Sequence, residues 1–220
     1  MDDTTRLDDA QLADSRIPSG IDPFALFDEW LQDAGESEPN DPNAMALATA
    51  TRDGRPSVRM VLLKGHGTKE APAGGFTFFT NAQSRKGEDI RANGHAALLF
   101  HWKSLRRQVR IEGTLVEVTP ERADGYFHSR PLKSQVGSAA SDQSRPLPDR
   151  QDYLDRVKAL SQRHGEDGEV PRPDHWTGFT CRPERIEFWM DRENRLHDRR
   201  LFTLEGAGDA LRWTDTLLYP

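Results

Sequence analysis

Residues 95–119 read HAALLFHWKSLRRQVRIEGTLVEVT, and this stretch decides the fold class. Residues 95–103 and 107–119 each favour a long extended strand, and the polar residues around Ser104 mark a turn between them. Two long strands joined by a short turn pair in the antiparallel direction. The sequence therefore predicts an antiparallel sheet built around this hairpin.

Further strands are predicted on both sides of the hairpin. Asp53-Gly54 is a hairpin turn signal that joins the first two of them. The predicted strands cover residues 45–51, 56–64, 76–80, 178–181, 185–190, 195–204 and 211–218. The sequence shows neither the regular alternation of strands and helices of a βαβ fold nor a G-x-G-x-x-G loop. The expected fold is mainly β with added helices, an antiparallel barrel.

Helices are predicted between these strands. Asp22-Pro23 supplies an N-cap and a first-turn proline ahead of an apolar stripe at helical spacing. The stripe consists of Phe24, Leu26, Phe27, Trp30 and Leu31, which we expect to pack in the core. Further helices are expected from residue 84 to about 92, from 120 to 129 and from 149 to 164. Residues 131–148 are rich in Ser, Pro and Gln and are expected to form an ordered loop.

Charge is distributed unevenly along the 220 residues. The chain has a net charge of −6, but residues 1–41 hold 12 acidic and 2 basic residues, so the remainder is net positive. We expect residues 1–20 to be a mobile acidic leader and residues 21–220 to form a single domain. A mildly basic body without a long basic run favours small anionic ligands over nucleic acid.

Several classes of protein are excluded by what the sequence lacks. The single cysteine, Cys181, cannot form an intrachain disulfide. The start has neither the basic nor the apolar segment of a signal peptide, and no apolar run is long enough to cross a membrane. The seven histidines lack metal-site spacing, and no G-x-S-x-G elbow is present. We therefore expect a cytoplasmic protein with no metal and no membrane partner.

One candidate anion site lies at NAQSRK, residues 81–86, where a strand is followed by a helix. Free backbone N–H groups favour an anion at such a junction, and Arg85 and Lys86 oppose the helix dipole unless an anion is bound. An ordinary capped surface helix is the alternative. Arg59 and Lys64 flank a nearby apolar strand, on opposite faces if the strand is ideal.

A second candidate is formed by Tyr126, Arg130 and Ser134. Tyr126 and Arg130 are four residues apart and share a helix face. A phenol, a guanidinium and a hydroxyl can together hold a phosphate. A helix end whose arginine only satisfies the dipole explains the same residues equally well.

The third candidate is the segment RLHDR, residues 195–199. In an extended strand Arg195, His197 and Arg199 share one face, and Leu196 and Asp198 share the other. Two fixed cations and an imidazole on one face suit an anionic, planar ligand. A solvated edge strand with an ion pair is the alternative reading.

With these pieces located, the chain resembles the pyridoxamine/pyridoxine 5′-phosphate oxidase family. The stretches that carry the resemblance occur in order and cover about nine tenths of the chain. They are DPFALFDEWL, DPNAMALATA, RMVLLK, FFTNAQSRKGEDI, LLFHWKSLRRQVRIEG, YFHSRPLKSQVG, SDQS, VPRPDHWTGF, RIEFW and NRLHDR. The resemblance implies an FMN-binding split barrel that works as a homodimer, with FMN at the subunit interface.

The resemblance also implies a set of site residues. FMN would contact Arg59, Met60, Val61, Leu62, Leu63, Lys64, Phe79, Thr80, Arg85, Lys86, Gln108, Gln143, Ser144, Trp189 and Arg199. The substrate phosphate would be held by Lys64, Tyr126, Arg130 and Ser134. Arg195 and His197 would be the catalytic residues that approach the pyridine ring of the substrate.

The implied reaction transfers a hydride from the 4′ carbon of the phosphorylated pyridine substrate to the flavin. Oxygen then reoxidises the flavin and yields hydrogen peroxide, and the amine substrate also releases ammonia. A related FMN oxidase of phenazine-type metabolism is one alternative, although Lys64 and the phosphate-binding residues argue against it. A non-catalytic protein that carries flavin or pyridoxal phosphate is the other.

Three features depart from the family pattern. The acidic leader lacks the basic, tyrosine-containing segment that often covers the substrate in this family. Phe79 stands where tyrosine is common, which removes a hydroxyl. The chain ends in Leu217-Leu218-Tyr219-Pro220, where family members usually have an arginine near the final proline.

Overall fold

The structure is a computed structural model that describes residues 15–71, 74–165 and 168–220. The helices are α1 (Pro23–Ser37), α2 (Arg85–Asn93), α3 (Pro120–Ser129), α4 (Leu132–Ala140) and α5 (Arg150–His164). The strands are β1 (Ala44–Ala50), β2 (Pro56–Leu62), β3 (Gly65–Gly67), β4 (Gly75–Asn81), β5 (His95–Trp102), β6 (Arg107–Glu117), β7 (Trp176–Met190), β8 (Asp198–Glu205) and β9 (Arg212–Leu217). None of these helices combines the length and the apolar character needed to cross a membrane.

The strands form one antiparallel sheet in the order β2-β1-β5-β6-β7-β4-β3, in which β8 also pairs with β7 and β9 pairs with β8. β7 changes its partner along its length, because residues 176–181 pair with β4 and residues 185–190 pair with β8. The two strands expected at 178–181 and 185–190 are therefore one strand. Pro183, which has no N–H to donate, lies between the two paired parts.

The hairpin of residues 95–119 lies at the centre of this sheet. β5 pairs with β6 from His95 opposite Thr114 to Trp102 opposite Arg107, as the sequence predicts. β6 then pairs with β7, and the register shifts between Glu112 and Gly113. The predicted antiparallel architecture with added helices is confirmed.

The sheet curls so that the end of β2 meets β4. The backbone N–H of Lys64 donates a hydrogen bond to the carbonyl of Thr77 in β4, at 2.8 Å. α1 packs against the enclosed face, where the ring centre of Phe27 lies 5.0 Å from that of Phe76 and 5.1 Å from that of Phe100. The side chain of Asp22 accepts a hydrogen bond from the Phe24 N–H, so the predicted N-cap is confirmed.

The expected loop over residues 131–148 is wrong in its first half, which forms α4. Val136 is buried and packs in an apolar cluster with Phe127 and Trp176. The Ser- and Gln-rich composition indicated a loop, although a few apolar residues pack this helix against α3 and β7. Tertiary packing therefore outweighed local propensity here.

The end of the predicted leader is bound to the sheet, whereas residues 1–14 lie outside the described residues. Ile17 is fully buried, and its carbonyl accepts a hydrogen bond from Arg200 Nε at 2.8 Å. The backbone N–H of Gly20 donates to Asp215 at 2.9 Å. The chain therefore joins the sheet at β8 and β9 before α1 begins.

Candidate functional site

A cavity of about 390 Å³ lies between β2, β4, β7 and the segment from α3 to Gln143. Among its described lining residues Lys64, Lys86 and Arg130 are basic, and none is Asp or Glu. The other lining residues are Met60, Val61, Leu62, Phe79, Thr80, Asn81, Tyr126, Ser138, Ser141, Gln143 and Trp176. Such a wall favours an anionic ligand. No cluster of three or more His, Cys, Asp or Glu suited to a metal occurs in the described ranges.

β2 and the turn after it supply one wall of the cavity. Alternate residues of β2 are exposed, and Met60 and Leu62 on this exposed side also line the cavity. Leu63 turns into the core, where only 4% of it is exposed. The backbone hydrogen bond from Lys64 to β4 then holds Lys64 in the cavity wall.

The start of α2 contributes Lys86. The N-cap residue Ser84 makes no side-chain capping bond to the helix. Its hydroxyl instead accepts a hydrogen bond from Lys86 Nζ at 2.9 Å, and Lys86 also donates to Gln143 Oε1 at 2.5 Å. Burial, together with the charge of Arg59, lowers the pKa of Lys86 to about 8. A buried ammonium with only neutral acceptors, beside an uncapped helix start, is suited to an anion.

Arg59 lies beside Lys86 but does not line the cavity. Its guanidinium donates to the hydroxyl groups of Thr49 at 2.7 Å and Ser57 at 2.5 Å. The same two hydroxyls donate to the buried carboxylate of Asp89 on α2, at 2.7 and 2.9 Å. Burial lowers the pKa of Arg59, although Asp89 acts in the opposite direction. Asp89 therefore holds Arg59 in position mainly through two bridging hydroxyls.

Three stacked aromatic rings form another wall. The ring centre of Phe79 lies 4.1 Å from that of Tyr126 and 5.4 Å from that of Trp176. The guanidinium carbon of Arg130 lies 5.0 Å from the Trp176 ring centre, a cation–π contact. Phe79 therefore packs as an aromatic wall residue, and the hydroxyl of the more common tyrosine is not needed for this stacking.

Arg130 ends α3 with a partly satisfied guanidinium. Its Nη2 donates to the Ser134 carbonyl at 3.1 Å and to the Ser138 hydroxyl at 2.9 Å. Its Nη1 is buried and has no hydrogen-bond partner among the described residues. Burial lowers the pKa of Arg130. The Ser134 side chain is exposed and does not line the cavity.

A separate cluster, which we call the Trp189 cluster, consists of Gln108, Trp189, His197 and Arg199. Gln108 on β6 and Arg199 on β8 lie opposite Trp189 on β7, on either side of it. The His197 ring centre lies 4.8 Å from that of Trp189. None of these four residues lines the cavity.

The two basic groups of the Trp189 cluster are each held by a carboxylate. Arg199 Nε donates to the buried Glu187 at 2.9 Å, and its Nη1 donates to the Tyr219 carbonyl at 2.9 Å. His197 Nδ1 lies 3.0 Å from Asp191 Oδ1. It also lies 3.3 Å from the backbone nitrogen of Arg192. Both side chains are therefore held in place by residues of the same chain.

The alternation expected across residues 195–199 is wrong. Asn194 and Arg195 have φ angles of 55° and 60° and belong to a 3₁₀ turn, so the strand begins only at Asp198. Arg195 is exposed, whereas Asp198 is buried and accepts from Arg192 at 3.2 Å. Left-handed backbone breaks the strand alternation on which that prediction depended.

The cavity brings together ten of the predicted site residues. They are Met60, Val61, Leu62, Lys64, Phe79, Thr80, Lys86, Tyr126, Arg130 and Gln143. The predicted residues that do not line it are Arg59, Leu63, Arg85, Gln108, Ser134, Ser144, Trp189, Arg195, His197 and Arg199. Trp176, Ser138 and Ser141 line it without having been predicted, and Asn81 lines it as part of the predicted junction at residues 81–86. Recognising α4 as a helix would have found Ser138, one turn beyond Ser134.

Comparison with known proteins agrees with this architecture. Residues 31–164 match the family model described as pyridoxamine 5′-phosphate oxidase, and residues 176–220 match the pyridoxine 5′-phosphate oxidase C-terminal dimerisation region. A pyridoxine/pyridoxamine 5′-phosphate oxidase of Erythrobacter litoralis is 68% identical over 95% of both chains. One of Novosphingobium aromaticivorans is 63% identical over 90% of this chain and 94% of the relative.

Solved structures share the fold. PhzG from Burkholderia lata, in complex with tetrahydrophenazine-1-carboxylic acid, matches with a TM-score of 0.81 and 30% identity over 93% of this chain and 95% of that chain. A pyridoxamine 5′-phosphate oxidase-related, FMN-binding protein of Nostoc punctiforme matches with a TM-score of 0.70 and 14% identity over 91% and 100% of the two chains, which supports the split-barrel fold alone. By its sequence, its fold and these relatives, the chain belongs to the pyridoxamine 5′-phosphate oxidase family.

Proposed function

We propose that this protein oxidises pyridoxine 5′-phosphate and pyridoxamine 5′-phosphate to pyridoxal 5′-phosphate, with FMN as its cofactor. Oxygen is the final electron acceptor and yields hydrogen peroxide, and the amine substrate also releases ammonia. The observation that carries the proposal is a cavity without acidic residues in its described wall, whose basic residues come from three places: the turn after β2 (Lys64), α2 (Lys86) and the end of α3 (Arg130). This arrangement suits two phosphate-bearing ligands side by side.

The α2 side of the cavity fits the phosphate of FMN. Lys86 is a buried cation whose hydrogen-bond partners among the described residues are neutral, and the helix start beside it has no side-chain cap. Arg59 adds positive charge beside Lys86, and the charge of Arg85 helps to lower the pKa of Arg59. An FMN phosphate would supply the missing negative charge. Met60, Val61, Leu62, Phe79, Thr80 and Gln143 would line the rest of the FMN site.

The α3 side fits the phosphate of the substrate. Arg130 has a buried donor, Nη1, without a partner, and Lys64 and Tyr126 line the same cavity. The mixture of guanidinium, ammonium and phenol matches a phosphate monoester. We assign substrate binding to Lys64, Tyr126 and Arg130, with Ser134 at the next turn as the resemblance implies.

The Trp189 cluster is proposed to complete the site from a second copy of the chain. The match to a dimerisation region covers residues 176–220, which include Trp189, Arg195, His197 and Arg199. The cavity, for its part, is bordered by the exposed apolar side of β2, where Met60 is 63% exposed. A homodimer that covers this side with the Trp189 cluster would enclose FMN at the subunit interface.

When bound, FMN supplies the acceptor for the hydride that leaves the 4′ carbon of the substrate. The protein's own part is to bind, orient and neutralise charge. Lys64 and Arg130 neutralise the substrate phosphate, and His197 and Arg195 of the second copy approach the pyridine ring. Asp191 and Glu187 keep His197 and Arg199 in fixed orientations. No side chain is assigned as a general base.

Turnover by the purified, FMN-loaded protein tests this proposal. We expect aerobic pyridoxine 5′-phosphate to give pyridoxal 5′-phosphate and hydrogen peroxide in equal amounts, and pyridoxamine 5′-phosphate to give ammonia in addition. Flavin binding without aldehyde or peroxide would instead indicate a non-catalytic carrier. Arg195→Ala and His197→Ala should each lower kcat/KM, and unchanged values would contradict their assignment.

A phenazine-type substrate is the second candidate, because PhzG shares the fold at 30% identity. The cavity argues against it, since Lys64 and Arg130 would face a ligand without a phosphate. A direct comparison decides between the two: turnover of a reduced phenazine carboxylate above that of pyridoxine 5′-phosphate would favour the alternative.

A further inference from the structure

The Arg130 guanidinium has a donor for which the described chain provides no acceptor. Nη1 is buried and unpaired, whereas Nη2 is used by Ser134 and Ser138. The group lies over the Trp176 ring, which contributes no hydrogen-bond acceptor in the ring plane. Leaving a buried, charged donor unpaired is costly, and an anion that reached Arg130 from the cavity would remove this cost.

Ser138 has the complementary property: its hydroxyl proton has no acceptor among the described residues. The oxygen accepts from Arg130 Nη2 at 2.9 Å. Helical serines often donate to the carbonyl four residues earlier, which here is Ser134. That carbonyl accepts from Arg130 instead, and no bond joins it to the Ser138 hydroxyl. A hydroxyl that already accepts from a guanidinium has its proton available for another acceptor.

The position of Ser138 restricts what that acceptor can be. Ser138 lines the cavity together with Lys64, Tyr126 and Arg130, and no carboxylate is present in the described wall. The side chain of Ser134 is exposed and outside this wall. A guanidinium and an ammonium in one wall favour an oxyanion, and a tetrahedral one offers an oxygen to a neighbouring hydroxyl as well.

We propose that Ser138 is a further ligand for the phosphate of the substrate. Arg130 Nη2 donates to its oxygen, and the hydroxyl donates its own proton to a phosphate oxygen. The inference rests on the proposed function, because it takes the oxyanion to be the phosphate ester of the pyridine substrate. It adds a residue that the family resemblance does not assign.

The test is the affinity of FMN-loaded protein for pyridoxal 5′-phosphate, with unphosphorylated pyridoxal as the matched probe. Ser138→Ala suits a helix, so the variant should fold. We expect it to bind pyridoxal 5′-phosphate roughly tenfold more weakly, because a hydrogen bond to a charged group is lost. Its affinity for pyridoxal should be unchanged. Unchanged affinity for the phosphate, or an equal loss for both probes, overturns the inference.

A double-mutant cycle separates a phosphate ligand from a residue that only orients Arg130. Arg130→Lys retains the charge but removes the planar guanidinium. If the hydroxyl contacts the phosphate itself, adding Ser138→Ala to Arg130→Lys still weakens binding by several-fold. If the second substitution has no further effect, the direct contact is refuted. Wild-type protein that neither binds nor produces pyridoxal 5′-phosphate would refute the proposed function itself, which these variants do not test.

Discussion

Lys86 is a buried cation in the wall of the cavity. Burial and the nearby charge of Arg59 lower its pKa to about 8, compared with 10.5 for an ordinary lysine. Between these values the unfolded chain binds the proton and the ligand-free folded chain does not, so stability rises with pH in that window. Below pH 8 the buried ammonium is charged and lowers the stability of the ligand-free protein. A phosphate group bound beside Lys86 would compensate for this cost.

FMN affinity should therefore fall as pH rises through about 8, because Lys86 loses its charge. Across pH 7 to 9.5 we expect a weakening of roughly tenfold, since one charge-assisted hydrogen bond is lost. Flavin fluorescence titrations at the two pH values measure it. Lys86→Arg keeps its charge and is the matched control, and the same pH dependence in both proteins would contradict the assignment to Lys86.

Asp191 should affect the catalytic rate through its contact with His197. Its carboxylate oxygen lies 3.0 Å from His197 Nδ1 and fixes the ring beside Trp189. Asp191→Asn weakens this hold, and we expect kcat to fall roughly ten- to a hundredfold, as misplaced site groups do. FMN affinity should change little. Steady-state kinetics and a flavin titration separate the two effects.

The control for that prediction is Arg106, which pairs with Asp191 on the solvent side. The Arg106 side chain is exposed, so Arg106→Ala should leave kcat within about twofold. A loss in Arg106→Ala as large as in Asp191→Asn would mean that the whole turn, and not the contact with His197, controls the rate.

At the level of elements, β6 and β7 approach each other closely at the register shift between them. Gly113 follows the shift, and a Cβ at this position would lie 2.1 Å from the carbonyl oxygen of Arg182 in β7. Gly113→Ala must push β6 and β7 apart. We expect it to lower the free energy of unfolding by about 2 kcal/mol or more.

Gly125 in α3 is the matched control. A Cβ there meets no atom within 4 Å, so Gly125→Ala should stabilise the helix by about 0.5–1 kcal/mol. Urea unfolding of the two variants measures both changes. A neutral Gly113→Ala would mean that the close approach of β6 to β7 relaxes without cost.

The elements were predictable where local chemistry defines them. Asp22-Pro23 begins α1, Asp53-Gly54 turns β1 into β2, and Pro120 begins α3. α4 and the turn at Arg195 were not predictable, because packing against Trp176 and a left-handed backbone decide them. Strand alternation therefore gave the wrong geometry for residues 195–199.

At the level of the whole molecule, the family pattern predicted the antiparallel split barrel and most of the cavity wall. Charged residues at the ends of elements, such as Lys64, Lys86 and Arg130, can be recognised from sequence alone. Trp176 and Asp89 could not, since each acquires its role from residues far away in the chain. Ser138 was missed because α4 was not recognised as a helix. No local sequence pattern predicts the proposed pairing of the cavity with the Trp189 cluster of a second chain either.

The central proposal is that the cavity of one chain and the Trp189 cluster of another form one site. Arg130→Ala should inactivate the cavity and Arg199→Ala should inactivate the Trp189 cluster, so each homodimer should be nearly inactive. Co-expression with two different tags gives mixed dimers, in which one site contains both substitutions and the other contains neither.

The activity of purified mixed dimers tests the claim most directly. Random pairing makes about half of all dimers mixed, so a co-expressed pool should regain about a quarter of the wild-type activity, and purified mixed dimers about half. Mixed dimers that are no more active than the two parent variants would mean that each site lies within a single chain, which contradicts the account.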